Sequence, residues 1–189
     1  MPAQQLKESP SQTAGPYVHI GCTPNFAGVT GVYANDPGAT MITDTVEGQR
    51  VTITGTVFDG QGAPLTDALV EIWQADATGR FGATNSGFTG WGRCPADQST
   101  GQWRFDTIRP GPTGAGAAHI TFWIVARGIN VGLHTRMYFP DDPLLASDPW
   151  LSIVEDVRRD TLIAKGSADG QFHFDIHLQG RNETVFFDA

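Results

Sequence analysis

Three side chains of the segment QFHFDIHLQG, His173, Asp175 and His177, fall on alternate residues. At the two-residue period of a strand they share one face, and two imidazoles with a carboxylate can make an iron or zinc site. Phe172, Phe174, Ile176 and Leu178 form the complementary apolar face, so the favoured expectation is a polar outer face over a core face. Neighbouring side chains on one strand also project in parallel and converge poorly on one ion. A third histidine, His119, sits in the β-like run HITF. Alone it cannot hold a catalytic metal, which takes about three protein ligands, and a hydrogen-bonded interior residue is expected there. Tyr17, Tyr33 and Tyr138 are the only tyrosines, and none is expected near His119.

The elements that must position these groups are mostly strands. RVTITGTVFD alternates Val51, Ile53 and Val57 with threonines, and DGQGAPL after it has the glycines and proline of a turn. ALVEIWQA puts Val70, Ile72 and Gln74 on one face and Glu71 and Trp73 on the other. Further strands are expected at residues 102–108, 119–126, 134–139 and 171–180. One helix is expected where Asp148–Pro149 opens WLSIVEDVRRDTLIAK, with proline in the first turn and acidic residues ahead of basic ones. The predicted class is all-β: an antiparallel β-sandwich with one or two short helices. Residues 1–45, with prolines at 2, 10, 16, 24 and 37, are expected to form an extended N-terminal arm, and residues 46–189 the domain.

A net charge of −8 argues against nucleic acid and anionic membrane as partners. There is no apolar run of about 18 residues to span a bilayer, and the first residues lack the layout of a secretory signal, so a cytoplasmic location is expected. Cys22 and Cys94 are read as free thiols, since two isolated cysteines make no disulfide framework. Only 17% of residues are charged, and five are tryptophans, which suits a subunit with a large permanent interface.

LVEIWQADATGRF (69–81), RPGPT (109–113) and AHITF (118–122) occur in that order, followed by HITFWIVARG, FDIHLQG and ETVFFD. In this order they resemble the intradiol ring-cleavage dioxygenases, over about residues 47–189, with SQTAGPY extending the likeness into the arm. The resemblance implies a prealbumin-like sandwich and an Fe(III) centre held by two tyrosines and two histidines. Those four positions here read Phe81, Thr113, His119 and Thr121. One ligand of four survives, so this chain is expected to bind no metal itself and to have no catalytic residue.

Some members of the family pair a catalytic chain with a homologous chain that has lost the iron, and SQTAGPY, ARGIN and GRNETVFFD point to the latter. That resemblance implies a hetero-oligomer with Fe(III) in the partner chain, and a carboxylated catechol and O2 as substrates. It also implies substrate-lining residues at the shared interface: Thr13, Gly15, Pro16, Tyr17 and Arg127. An arginine expected three residues before the first ligand histidine is Gly116 here, and Arg136 is expected to fill part of the vacated volume. Two rival functions remain: a self-sufficient dioxygenase using His119, His173 and His177, and a binding scaffold without enzymatic partner.

Overall fold

Alternating burial builds two sheets that face each other across one core. The computed structural model describes residues 12–15, 17–82, 87–166 and 169–188. Strands β1 (Arg50–Phe58), β2 (Leu69–Gln74), β4 (Gln102–Ile108) and β5 (His119–Val125) coincide with the alternating runs of the sequence. One sheet has the order β3 (Trp91–Pro95), β2, β5, β6 (Leu133–Tyr138) and is antiparallel throughout. The other has the order β4, β1, β8 (Gln171–His173), β7 (Lys165–Gly166), with β9 (Ile176–His177) also on β1. Val51, Ile53, Trp103, Phe105 and Phe172 from one sheet meet Val70, Ile72, Ile120, Phe122 and Ile124 from the other.

The two sheets are also tied by polar groups. Buried Gln74 leaves β2 to donate to the Ile108 carbonyl at 2.8 Å, and its own oxygen accepts from the Thr107 hydroxyl at 2.9 Å. A buried amide with both ends satisfied fixes how the sheets sit on each other.

The sandwich is the expected all-β one, with β8 and β9 running parallel to β1; so long a return in the chain lets the strand re-enter from the same end. Three expectations need correction. The single strand expected over 171–180 is interrupted at Phe174–Asp175, where the Asp175 carboxylate, in place of a carbonyl, accepts the Thr56 amide at 3.1 Å. Gly55 lies opposite, where a Cβ would collide with the Phe174 carbonyl.

The helix expected after Asp148 is broken into pieces. Asp148 does cap it, accepting from the Trp150 and Leu151 amides, but α2 is only Pro149–Ser152. Arg159 from α3 (Asp156–Arg159) donates to the Leu151 and Val154 carbonyls at 2.8 and 3.0 Å, satisfying oxygens that a continuing helix would have used. Leu151, Val154 and Leu162 then pack with Tyr138 and Ala117 as a second small core.

The N-terminal segment is not extended throughout: Val18–Cys22 forms helix α1. Cys22 and Cys94 are free thiols. Among the described residues, no helix is long and apolar enough to cross a membrane.

Candidate functional site: a pocket without donors for ferric iron

Phe81 and Thr113 are brought together by two loops that interlock through glycine. Asp76, just past β2, accepts from the Thr78 amide and hydroxyl and from the Arg80 amide, which curls residues 76–80 into a tight turn. Its carbonyl accepts the Gly111 amide at 2.9 Å. Gly79, at φ +83°, has the Pro112 carbonyl where a side chain would be, and a Cβ at Gly111 would stand 2.6 Å from the Ala77 oxygen. Only bare backbone lets the two loops approach this closely.

His119 and Thr121 reach the same place from β5, whose core face is Ile120, Phe122 and Ile124. On the outer side Trp73 pairs with Thr121, and Thr121 with Arg136. Phe81, Thr113, His119 and Thr121 therefore line one cavity of about 430 Å³, with Trp73, Arg136, Asp148 and Trp150 completing its wall. The Arg136 guanidinium lies 4.1 Å from the centre of the Trp150 ring and 5.8 Å from that of Phe187. A side chain at Gly116 would put its Cβ 3.0 Å from an Asp148 oxygen, which accounts for the small residue there.

One expectation about tyrosines was wrong. Tyr138 is the cross-strand partner of His119, and their ring centres are 5.6 Å apart. Its hydroxyl donates to Asp148 Oδ1 at 3.2 Å. Burial, reinforced by the Asp148 carboxylate against the opposing pull of Arg136, pushes its pKa up to about 12. His119 Nδ1 lies 3.0 Å from the Ala117 carbonyl, so as a donor there it leaves Nε2 as the basic nitrogen. Burial, with the Arg136 charge adding to it, holds the imidazole below its ordinary pKa despite Ala117 and Asp148.

The donors do not fit ferric iron. Phe81 has no oxygen, the two threonine hydroxyls keep their protons near neutral pH, and Tyr138 is committed to Asp148 as a phenol. Arg136 adds positive charge where a cation would sit. His173 and His177 cannot repair the set, because they lie on the other sheet, with the core between them and His119. His173 Nε2 pairs with Asp175 at 2.9 Å, and His177 stacks on Phe58. Among the described residues no three His, Cys, Asp or Glu side chains cluster closely enough to hold a metal ion.

The second group of expected site residues lies at the opposite end of β5. From Thr121 to Arg127 is six residues, about 20 Å of extended chain. The Thr13 hydroxyl donates to the Ala126 carbonyl at 3.1 Å and accepts the Gly128 amide at 2.8 Å, latching the arm onto the turn that carries Arg127. Arg127 donates through Nε to Asp67 at 2.6 Å. Its side chain is 68% exposed, and its two terminal nitrogens have no partner among the described residues. His19 of α1 lies 3.2 Å from the Asp67 carbonyl. Tyr17 is 77% exposed and Gly15 has open space on its side-chain side. Pro16 lies outside the described residues.

Trp73, Asp148 and Trp150 were missed as pocket residues. The outward parity of Trp73 on β2 was a usable signal; for Trp150, placed by the irregular 140–150 segment, the sequence offered none.

The family model described as Dioxygenase matches residues 22–180. The chain belongs to the intradiol ring-cleavage dioxygenases, a family of Fe(III)-dependent oxidoreductases. It is 40% identical, over all of both chains, to the protocatechuate 3,4-dioxygenase alpha chain of Pseudomonas putida. With the beta chain of that enzyme from Burkholderia cepacia it shares 38% identity, over 72% of this chain and 67% of the relative. The fold is that of the dioxygenase domain of a dioxygenase–carbohydrate-binding fusion from Streptomyces sp. SirexAA-E, with a TM-score of 0.60 at 22% identity, over 94% of this chain and 100% of that one.

Proposed function

We propose that this chain is the non-catalytic alpha subunit of a protocatechuate 3,4-dioxygenase, acting in the cytoplasm with a homologous beta chain that holds the Fe(III). The complex cleaves protocatechuate with O2 to 3-carboxy-cis,cis-muconate, a step of aromatic catabolism. One observation carries this reading: the four ligand positions still converge on one pocket, yet three of them have side chains that cannot ligate ferric iron. A fold kept while its donors are lost fits a chain whose metal chemistry is done by a partner.

At the other end of β5 the chain contributes shape and charge to the partner's site. Arg127, held through Nε by Asp67, keeps its two terminal nitrogens for the substrate carboxylate. Thr13, Gly15 and Tyr17 form the wall that the arm brings with it, and the partner's surface covers the exposed Tyr17. These groups act by holding the ring in place and by their field; the iron of the beta chain supplies the redox chemistry.

Expression of the chain alone and beside a homologous chain with both tyrosines and both histidines tests the proposal. The expected result is an iron-free single chain and a stable, active complex with iron. Stoichiometric, tightly bound ferric iron in the chain alone would overturn it, and a failure to form any complex would favour a scaffold.

A further inference from the structure

Arg136 is a half-buried cation with no carboxylate within ion-pair distance among the described residues. Among the described residues, Arg93, Arg104, Arg109, Arg127, Arg158 and Arg159 each have such a carboxylate. Asp148, which lines the same cavity, is engaged elsewhere: it accepts from Trp150, Leu151 and Tyr138 on one oxygen and from Ala117 on the other. The guanidinium is instead held against the Trp150 ring, facing the same cavity as Trp73 and Phe81.

Those three rings are 47%, 47% and 44% exposed for Trp73, Phe81 and Trp150, unusually open for residues with so much apolar surface. The cavity has the size of a small-molecule site, in which apolar walls and a few polar groups fix a ligand. A bare inorganic anion would leave the rings in water, and a neutral aromatic would leave the arginine without its counter-charge.

We propose that this pocket binds a planar aromatic carboxylate without any metal ion, with Arg136 taking the carboxylate and the rings of Trp73, Phe81 and Trp150 enclosing the ring. With Nδ1 donating to the Ala117 carbonyl, His119 leaves Nε2 as an acceptor for a ring hydroxyl. Binding here goes beyond the role proposed for Arg127 and requires no partner chain.

Benzoate is the probe, because it has the ring and the charge but no vicinal hydroxyls with which to chelate iron. The full chain, treated with EDTA, is titrated with benzoate while tryptophan fluorescence is followed. Saturable binding with a Kd below about 1 mM is expected. Acetate and benzyl alcohol, lacking the ring or the charge, should bind at least ten-fold more weakly. Arg136→Gln should weaken benzoate by ten-fold or more. Phe81→Ala, at an exposed position that leaves the core intact, should weaken it several-fold and keeps the test valid if the arginine variant does not fold. No saturation, equal binding of benzyl alcohol, unchanged affinity in the Phe81 variant, or binding only after iron is added would each overturn the proposal. Complex formation with a catalytic chain is measured separately, so failure here leaves the subunit reading standing.

Discussion

The hydroxyl of Tyr138 donates to Asp148 Oδ1 at 3.2 Å, while its ring lies 5.6 Å from that of His119. That bond commits the tyrosine beside His119 as a phenol and not as a metal ligand. It also makes Asp148 the junction where β6, the cap of α2 and the strand entering β5 meet.

Asp148→Ala should destabilise the chain strongly. It strands three amides and a phenol in a nearly water-free place, where an unpaired donor costs about 1–3 kcal/mol and a lost cap about 1 kcal/mol. A total near 3 kcal/mol is expected in urea denaturation, with a smaller loss for Asp148→Asn, which keeps one acceptor oxygen. A change below about 0.5 kcal/mol would show that the junction is not built as described.

Restoring the donors should restore metal binding. Phe81→Tyr, Thr113→Tyr and Thr121→His, combined with the resident His119, place four ligands on one pocket wall. Metal analysis should find ferric iron in the triple variant, with the visible colour of iron–tyrosinate, and none in the single variants. Arg136→Ala added to the triple should raise the iron content further, because Arg136 is the cross-strand partner of Thr121.

His119 should titrate below the ordinary histidine value near 6.5. Its folded pKa is lowered by burial first, then by Arg136. As pH falls, the unfolded chain therefore takes up this proton before the folded one does. The corresponding stability is complete above about pH 6.5 and is lost as pH falls from there through the depressed midpoint. NMR of the imidazole gives the midpoint directly, and denaturation of His119→Gln should show a shallower fall over that window.

Arg127→Ala should lower kcat/KM for protocatechuate in the complex by about 10–100-fold, mostly through KM, with iron content unchanged. Asp67→Asn keeps a hydrogen-bond acceptor for Nε and should show a milder effect of the same kind. Equal kinetics of the Arg127 variant on substrates with and without a carboxylate, and no loss against wild type, would return it to an ordinary surface residue.

Most of the two sheets was legible because β1, β2, β4 and β5 carry strict alternation between core and outer faces. Strand β3 was not, since Trp91–Pro95 holds a glycine and a proline and no alternation. Gly92 is there because Met41 packs over it, a contact from far up the chain. The convergence of Phe81, Thr113, His119 and Thr121 could be anticipated from the order of the motifs. The closeness of Tyr138 to His119 could not, because it depends on the β5–β6 register and so on how the chain turns between residues 126 and 132. The fragmentation of the helix after Ser152 likewise rests on Arg159 reaching back to carbonyls that a local pattern does not mark.

Strand β5 holds its two outer ends apart like a ruler, with His119 and Thr121 at one end and the Arg127 turn just beyond the other. A change of side chain at one end need not disturb the latch at the other, which is made by Thr13 with Ala126 and Gly128. On the proposed reading, a chain built this way can lack metal chemistry at one end of the strand and still supply a wall of its partner's chamber at the other.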